Sequence, residues 1–170
     1  MNYGTIKPVD IVDGIGCRVG LYVSGCTRHC QGCHNPEAWD FGYGKRFTTD
    51  TINEILSLLN KPYIKGLSIL GGEPLHSSNI IDVMVLCKKV REKLPEKTIW
   101  LYTGYVWEEV KNLPIMEDID VLVDGEYIES HRDLTLRFRG SSNQRIIDVP
   151  KSLKSMSVVL WKDGWKEARL

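Results

Sequence analysis

Three cysteines lie within eight residues of one segment, SGCTRHCQGCHNPE, and they constrain the chain more than any other feature. A disulfide takes two cysteines and a structural zinc site takes four ligands, so three thiols match neither pattern. A cubane iron–sulfur cluster normally takes four cysteines. If Cys26, Cys30 and Cys33 are its only protein ligands, one iron keeps an open position at which a small molecule can bind. Gly25 and Gly32 allow the sharp turns that such a loop requires.

Two alternatives remain open for this loop. His29 or His34 could complete a Cys3His zinc site, although zinc ligands usually come as two separated pairs. Cys17, nine residues before the first of the three, could supply a fourth thiolate, but a predicted strand lies between them. We therefore favour a [4Fe–4S] cluster held by the three cysteines of the loop alone.

Composition bounds the size and setting of the protein. Its 170 residues suggest a single domain, residues 1–170, with a core large enough to fold without disulfides. Twenty-two basic residues balance twenty-two acidic ones, so charge does not favour a nucleic acid or an anionic membrane as partner. Five cysteines, an odd number, indicate reduced thiols or metal ligands. The sequence shows neither a membrane-spanning apolar run nor a signal peptide, so we expect a cytoplasmic location.

Strand-like and helix-like segments alternate along the chain, which predicts an α/β fold with a largely parallel sheet. Four apolar runs of strand type fall at residues 18–25, 66–74, 98–104 and 119–125. Apolar residues that recur on one face predict helices at 48–60, 77–95 and 107–113. We expect the first two helices to be capped by polar residues, either Thr49 or Asp50 and either Ser77 or Ser78.

The C-terminal third is less regular than the rest of the sequence. Residues 137–150 and 157–165 are predicted to be turn-linked strands. Residues 151–170 form an extension to which the sequence assigns no role.

Several chemically distinctive segments follow predicted strands directly. They are the cysteine loop, Gly71-Gly72-Glu73-Pro74, Thr103-Gly104 and Asp124-Gly125. Loops at the C-terminal ends of parallel strands are the usual ligand sites of α/β folds. Two glycines allow backbone carbonyls to approach a ligand's ammonium closely, although Gly-Gly-x-Pro alone is more often a simple turn. Thr103 and Asp124 could meet the same ligand or belong to ordinary turns.

The cysteine spacing, followed by GGEP, resembles the radical S-adenosylmethionine (SAM) enzymes. From residue 1 to residue 148 the chain resembles, more narrowly, the activating proteins of anaerobic ribonucleoside-triphosphate reductases, which are glycyl-radical activases. The segments that carry this resemblance are PVDIVDGIGCRVGLYVSGC, HNPEAWD, LSILGGEPLH, WLYTGY, DVLVDGEYIES and RFRGSSNQRIID.

The resemblance implies a [4Fe–4S] cluster on Cys26, Cys30 and Cys33, with SAM bound to the iron that lacks a cysteine. It also implies two sets of SAM contacts, one at the methionine amino group and one at the adenine. The first set is Gly71, Gly72 and Glu73, and the second is Gly32, Cys33 and His34. Many radical SAM proteins carry an aromatic residue just before the last cysteine, where this chain has Gly32.

The implied reaction is reductive cleavage of SAM, followed by removal of a Cα hydrogen from a glycine of the reductase. A reduced flavodoxin or ferredoxin would supply the electron. Because the cofactor carries the hard chemistry, no acid–base catalytic residue is expected. Two rivals remain: an activase for another glycyl-radical enzyme of the pyruvate formate-lyase type, and a non-catalytic, zinc-stabilised interaction module.

Chain length limits the architecture. A complete eightfold β/α barrel needs more than about 200 residues. A chain of 170 residues is therefore expected to form a partial, open barrel of the radical SAM type, whose open side can admit a protein segment. Cys87 falls on the apolar face of a predicted helix and is interpreted as a core residue, and Cys17 is also interpreted as structural.

Overall fold

A computed structural model describes residues 1–162. Its centre is one seven-stranded sheet with the strand order β3-β1-β2-β4-β5-β6-β7, so the sheet is open, with β3 and β7 at its edges. The strands are β1 (Asn2–Asp10), β2 (Cys17–Val23), β3 (Lys45–Arg46), β4 (Ile64–Gly71), β5 (Thr98–Tyr102), β6 (Val121–Asp124) and β7 (Arg145–Asp148). The predicted α/β class is confirmed.

The four strands predicted from the sequence form the parallel centre of the sheet. β2, β4, β5 and β6 lie side by side and run in the same direction. The chain crosses between them through α1 (Thr49–Leu59), α2 (Ile80–Lys93) and the short α3 (Trp107–Val110). All four strands therefore end at one edge of the sheet, which is where the cysteine loop and the glycine turn begin.

The sheet is only partly parallel, since three of its six neighbouring strand pairs are antiparallel. β1 reaches β2 through residues 11–16, a connection too short for the crossover that parallel strands need. The sequence did not predict β1. Its Pro8 falls at a register irregularity between Lys7 and Asp10, where a missing N–H donor is tolerated.

Two helix starts differ from the prediction. Thr48, one residue before the predicted caps, accepts a hydrogen bond from the Thr51 backbone N–H at 3.4 Å, and the Thr51 side chain accepts one from Thr48. α2 begins after Asn79 rather than after a serine, and the Asn79 side chain does not cap it. Instead that side chain reaches toward the cysteine loop, as described below.

The C-terminal region is partly helical where extended structure was predicted. Only β7 forms a strand within residues 137–150, and α4 (Val149–Ser155) follows at once, because Asp148 caps it and Pro150 suits its first turn. Within residues 157–162, Leu160 makes an isolated bridge to Ile147. The rest of that predicted strand, and residues 163–170 of the extension, lie outside the described residues. Short 3-10 helices occupy Pro36–Trp39, Pro114–Asp118 and Glu129–His131.

The two faces of the sheet pack differently. Alternate residues of β5 show this, because Ile99 and Leu101 join the large core under the helices, whereas Trp100 packs with Val121 and Val123 on the other face. The second cluster is small, so this face of the sheet, called the concave face below, is covered by fewer apolar side chains than the other. No helix within residues 1–162 is long and apolar enough to cross a membrane.

Arg18 closes the floor of the concave face. Its guanidinium is 1% exposed and donates hydrogen bonds to the carbonyls of Leu67 (2.7 Å) and Thr98 (3.0 Å) and to the Ser68 hydroxyl (2.7 Å). The guanidinium also lies 5.4 Å from the Trp100 ring centre. Burial lowers the pKa of Arg18 to about 10, so it stays charged at neutral pH.

Candidate functional site

A cavity of about 550 Å³ opens on the concave face, at the C-terminal ends of the parallel strands. Its lining includes the three cysteines of the loop together with Gly71, Gly72, Glu73, Thr103 and Gly104. These residues come from three different strand ends, which the sequence predicted to be ligand-binding loops. The fold therefore brings most of the predicted site residues to one cavity.

The fourth predicted strand end contributes differently. Gly125 lines the cavity, but Asp124 is 1% exposed and accepts hydrogen bonds from the Trp107 backbone N–H (2.7 Å) and from Arg145 Nε (3.0 Å). Asp124 therefore ties the start of α3 to β7 rather than meeting a ligand.

The cysteine loop is fixed by its own backbone. The N–H groups of Gly25 and Cys26 donate to carbonyls of Ala38 (2.8 Å) and Trp39 (3.1 Å), which belong to the short helix Pro36–Trp39. Gly25 has φ +96°, a conformation that side chains rarely adopt, and this positive φ lets the chain leave β2 sharply. These backbone contacts hold the loop against the short helix.

The three cysteines of the loop differ in burial, since Cys26 is buried whereas Cys30 and Cys33 are partly exposed. Burial raises the pKa of the Cys26 thiol, and burial together with the Glu126 carboxylate raises the pKa of Cys30 to about 11. The Asn35 backbone N–H donates to Cys33 Sγ at 3.4 Å. Because metals bind thiolates, cluster assembly must release the thiol protons.

The glycine turn packs directly on the cysteine loop. Gly72 N–H donates to the Val23 carbonyl (2.7 Å) and Glu73 N–H donates to the Gly25 carbonyl (2.9 Å). A Cβ atom at Gly72 would lie 2.6 Å from the Gly25 carbonyl oxygen, and Gly71 has φ +110°. Both glycines are therefore required by the close approach of the two segments.

Glu73 is buried and joins two strand ends. Its Oε1 accepts hydrogen bonds from the Thr103 hydroxyl (2.7 Å) and the Leu75 N–H (3.0 Å), and its Oε2 accepts one from the Gly104 N–H (2.8 Å). Burial raises the pKa of Glu73, while these hydrogen bonds and the nearby Arg28 oppose that rise. The carboxylate fixes the end of β5 against the glycine turn.

Comparison with known proteins agrees with this geometry. Residues 12–147 match a family model described as a 4Fe-4S single cluster domain. The anaerobic ribonucleoside-triphosphate reductase-activating protein of Enterobacteria phage T4 is 44% identical over 146 residues, which cover 86% of this chain and 93% of that protein. The proteins of the same name from Escherichia coli K12 and Vibrio cholerae are 42% and 41% identical, covering 85% and 86% of this chain and 96% and 97% of their own lengths. The chain belongs to the family of anaerobic ribonucleoside-triphosphate reductase-activating proteins.

The residues present fit the cluster that the family description names. Cys26, Cys30 and Cys33 line one cavity from one loop, and they would hold the cluster. Backbone N–H groups of Asn35 and Tyr127 already approach the sulfurs of Cys33 and Cys30, an interaction that favours thiolate ligands. In number and chemistry, the three thiols of this loop fit a [4Fe–4S] cluster.

The zinc hypothesis is not supported. The His29 ring packs against Trp39 with 4.6 Å between ring centres, and the His34 ring packs against Tyr127 with 5.0 Å between ring centres. In residues 1–162, no three histidine, cysteine, aspartate or glutamate side chains are placed to hold a single metal ion. The iron–sulfur family match decides between the two readings in favour of the cluster.

The other two cysteines lie elsewhere in the fold. Cys17 pairs with Ile64 at the start of β2, a whole strand away from the loop that follows Val23. Cys87 is fully buried in α2, and burial raises its pKa.

The predicted adenine contacts lie on the outer part of the loop. Cys33 and His34 line the cavity. Gly32 has φ +72° and lies against Glu129, whose carboxylate oxygen would be 2.0 Å from a Cβ at this position. The contacts of Gly32, Cys33 and His34, like those of the glycine turn, stay predictions about SAM.

Two residues of the site were missed by sequence reasoning. Asn79 is 1% exposed, and its Nδ2 donates to the carbonyls of Ser24 (3.0 Å) and Glu73 (2.9 Å), which latches the cysteine loop to the glycine turn. No local pattern announces this role, because its partners are distant backbone carbonyls. Arg28 lines the cavity, and its position between two ligand cysteines was the available signal.

The inner wall and the outer wall of the cavity were also not predicted. On the inner wall, the Tyr22 hydroxyl is 2.7 Å from an Asp13 oxygen and 3.0 Å from an Asp10 oxygen, and burial raises the pKa of Asp13. The outer wall consists of residues from the segment 133–144, which follows β6 and includes part of the RFRGSSNQ motif. The inner wall therefore presents polar groups to the cavity, and the outer wall is formed by a single chain segment.

Proposed function

We propose that this protein is a radical SAM activase, which cleaves SAM reductively and generates a glycyl radical on an anaerobic ribonucleoside-triphosphate reductase. The observation that carries the proposal is the meeting of the three-cysteine loop and the Gly71-Gly72-Glu73 turn in one cavity. Family membership supports it, since the relatives are named for activating that reductase.

Each part of the cavity has a role in this proposal. Cys26, Cys30 and Cys33 hold the cluster and leave one coordination position unfilled by protein. When bound, the cluster and SAM supply one-electron cleavage of a carbon–sulfur bond, which no side chain can perform. Gly71 and Gly72 bring backbone close to the methionine end of SAM, and Glu73 keeps this turn in register with the end of β5.

The architecture is proposed to be a partial barrel of the radical SAM type, formed by residues 1–170 as one domain. The parallel strands β2, β4, β5 and β6 with their crossover helices support it. A sheet with free edges leaves one side of the cavity accessible, and Val12 and Leu134, which are 62% and 83% exposed, line that side. The glycine-bearing segment of the reductase enters here.

The remaining partners follow from the same reaction. A reduced flavodoxin or ferredoxin donates the electron, and the cytoplasm is the compartment in which the reductase and its donor meet. Equal numbers of acidic and basic residues do not favour nucleic acid as a further partner.

Anaerobic reconstitution followed by partner activation tests the proposal. The chain should bind about four irons, release 5′-deoxyadenosine on reduction with SAM, and produce the electron paramagnetic resonance doublet of a glycyl radical on the reductase. A parallel reaction with pyruvate formate-lyase serves as the competing substrate. A doublet on that enzyme and none on the reductase would move the function to the other partner, and a colourless protein without iron would refute it.

A further inference from the structure

Arg28 occupies an unusual position inside the cavity. Its side chain crosses from the cysteine loop to the end of β5, where the guanidinium lies 4.3 Å from the Tyr105 ring centre. A Cβ atom at Gly104 would be 2.3 Å from Arg28 Cδ, so the absence of a side chain at position 104 makes room for the arginine. The fold thus seats one cation over the strand ends.

The donors of Arg28 make long ion pairs but no hydrogen bond of ordinary length within the described residues. Nε is buried and has no hydrogen-bond partner within the described residues. The nearest carboxylate atoms are 3.6 Å away in both cases, Glu73 Oε2 from Nε and Glu126 Oε2 from Nη1, which is beyond ordinary hydrogen-bond length. A buried donor without a partner is costly, so this site favours a further acceptor.

The charges of Arg28 and Glu73 are complementary to those of a free amino acid, which carries a carboxylate and an ammonium group. Arg28 offers a planar fork of N–H groups that suits a carboxylate, and Glu73 places a negative charge beside it. A bound zwitterion can set its carboxylate toward the arginine and its ammonium toward the glutamate and the glycine turn. Both residues line the cavity that contains the three cysteines.

We infer that Arg28 binds the α-carboxylate of the methionine half of SAM and selects ligands that carry this group. The inference rests on the proposed function, because it takes SAM to be the ligand. Arg28 is thereby a specificity-determining residue that belongs to the cysteine loop. The same short segment then holds the cluster and recognises the carboxylate of SAM.

The test compares two ligands on the reconstituted, oxidised holoprotein, in which no turnover occurs. The ligands are SAM and its decarboxylated derivative, and affinity is measured by equilibrium dialysis. Arg28→Gln should weaken SAM binding about 10- to 100-fold, as expected for loss of a charged hydrogen bond. The same substitution should weaken binding of the decarboxylated ligand less than about 3-fold.

Matched variants separate this role from general effects. Arg132→Gln removes the same charge from an exposed pair with Glu129 and should change neither affinity by more than about 2-fold. Glu126→Gln removes the outer contact of Arg28. If Arg28 served only to tether the segment after β6 through Glu126, then Glu126→Gln would weaken both ligands as Arg28→Gln does, and this would overturn the inference.

Iron content and urea unfolding are measured for every variant. If Arg28→Gln does not retain its iron, Arg28→Lys replaces it, because lysine keeps the charge and loses the fork. It should weaken SAM about 3- to 10-fold and leave the decarboxylated ligand unchanged. Equal losses for both ligands, or no loss for SAM, would refute the role of Arg28. Failure of the unaltered holoprotein to bind SAM would instead refute the proposed function, and the inference with it.

Discussion

Arg18 and Arg28 lie at the two ends of the concave face, here called the floor and the mouth, and the two arginines differ in their hydrogen bonds. Arg18 at the floor donates to carbonyls of Leu67 and Thr98 and to side chains, and it is almost completely buried. Arg28 at the mouth packs against an aromatic ring but makes no hydrogen bond of ordinary length within the described residues. Arg18 therefore stabilises the fold, whereas the N–H donors of Arg28 are proposed to bind a ligand.

The largest effect is expected at the mouth, from the cluster ligands. Cys30→Ser should lower activation of the reductase by more than about 10³-fold, because the cofactor carries the chemistry. The matched control is Cys17→Ser, at the floor end of β2, which should keep its iron content and its activity. Both are measured by iron analysis and by the glycyl-radical signal. Loss of the cluster in Cys17→Ser would show that the floor end participates in metal binding and would break the division between the two ends.

The second effect is expected at the floor. Arg18→Met should lower the free energy of unfolding by at least about 3 kcal/mol, since several buried acceptors lose their donor. Arg28→Gln in the cluster-free protein should change it by less than about 1 kcal/mol, since both of its ion pairs are 3.6 Å long and its Nε has no hydrogen bond to lose. Urea denaturation measures both. Equal destabilisation by the two substitutions would contradict the contrast between them.

A third comparison uses two glycines. At Gly66 a Cβ would be 1.9 Å from the backbone oxygen of Thr98, whereas at Gly104 it would meet the movable side chain of Arg28. Gly66→Ala should therefore destabilise the fold by about 2 kcal/mol, because the backbone must shift.

Gly104→Ala should leave stability within about 1 kcal/mol and weaken SAM binding about 3- to 10-fold, since it displaces the arginine. Thermal unfolding and equilibrium dialysis measure the two quantities. A stable Gly104→Ala protein with unaltered SAM affinity would be inconsistent with the seat of Arg28 described above.

The smallest effect is expected from the C-terminal end of the described chain. Trp161 packs edge-on against Trp100 with 5.1 Å between ring centres, on the floor side of the concave face. Trp161→Ala should lower the free energy of unfolding by about 1 kcal/mol without changing SAM affinity. A change in SAM affinity at constant stability would mean that the contact between Trp161 and Trp100 influences ligand binding at the other end of this face.

The sequence was most informative where chemistry or periodicity is local. The spacing of Cys26, Cys30 and Cys33 and the pair Gly71-Gly72 pointed to residues that line one cavity, and the apolar runs of β2, β4, β5 and β6 predicted the parallel centre. These signals lie within a few neighbouring residues, so no knowledge of distant contacts was needed.

The misses share the opposite property. β1 is interrupted by Gly4 and Pro8, and it is held as a strand by its pairing with β2. Asn79 looked like part of an ordinary helix start, yet its partners stand 55 and 6 residues away in the chain. The run RIIDVP favours a strand by its apolar residues, but Asp148 and Pro150 begin a helix after it. For β1 and Asn79 a tertiary contact outweighed the local preference, whereas at α4 a local cap and a proline outweighed the apolar pattern.

The hydrogen bonds from Gly72 and Glu73 to the carbonyls of Val23 and Gly25 have a consequence for how the site can vary. They join the segment proposed to hold the metal and the segment proposed to bind the co-substrate, so a shift of one segment should move the other. Substitutions that weaken cluster binding should therefore also weaken binding of the co-substrate. Across a randomised library of this region, the dissociation constants of the cluster and of the co-substrate should rise and fall together.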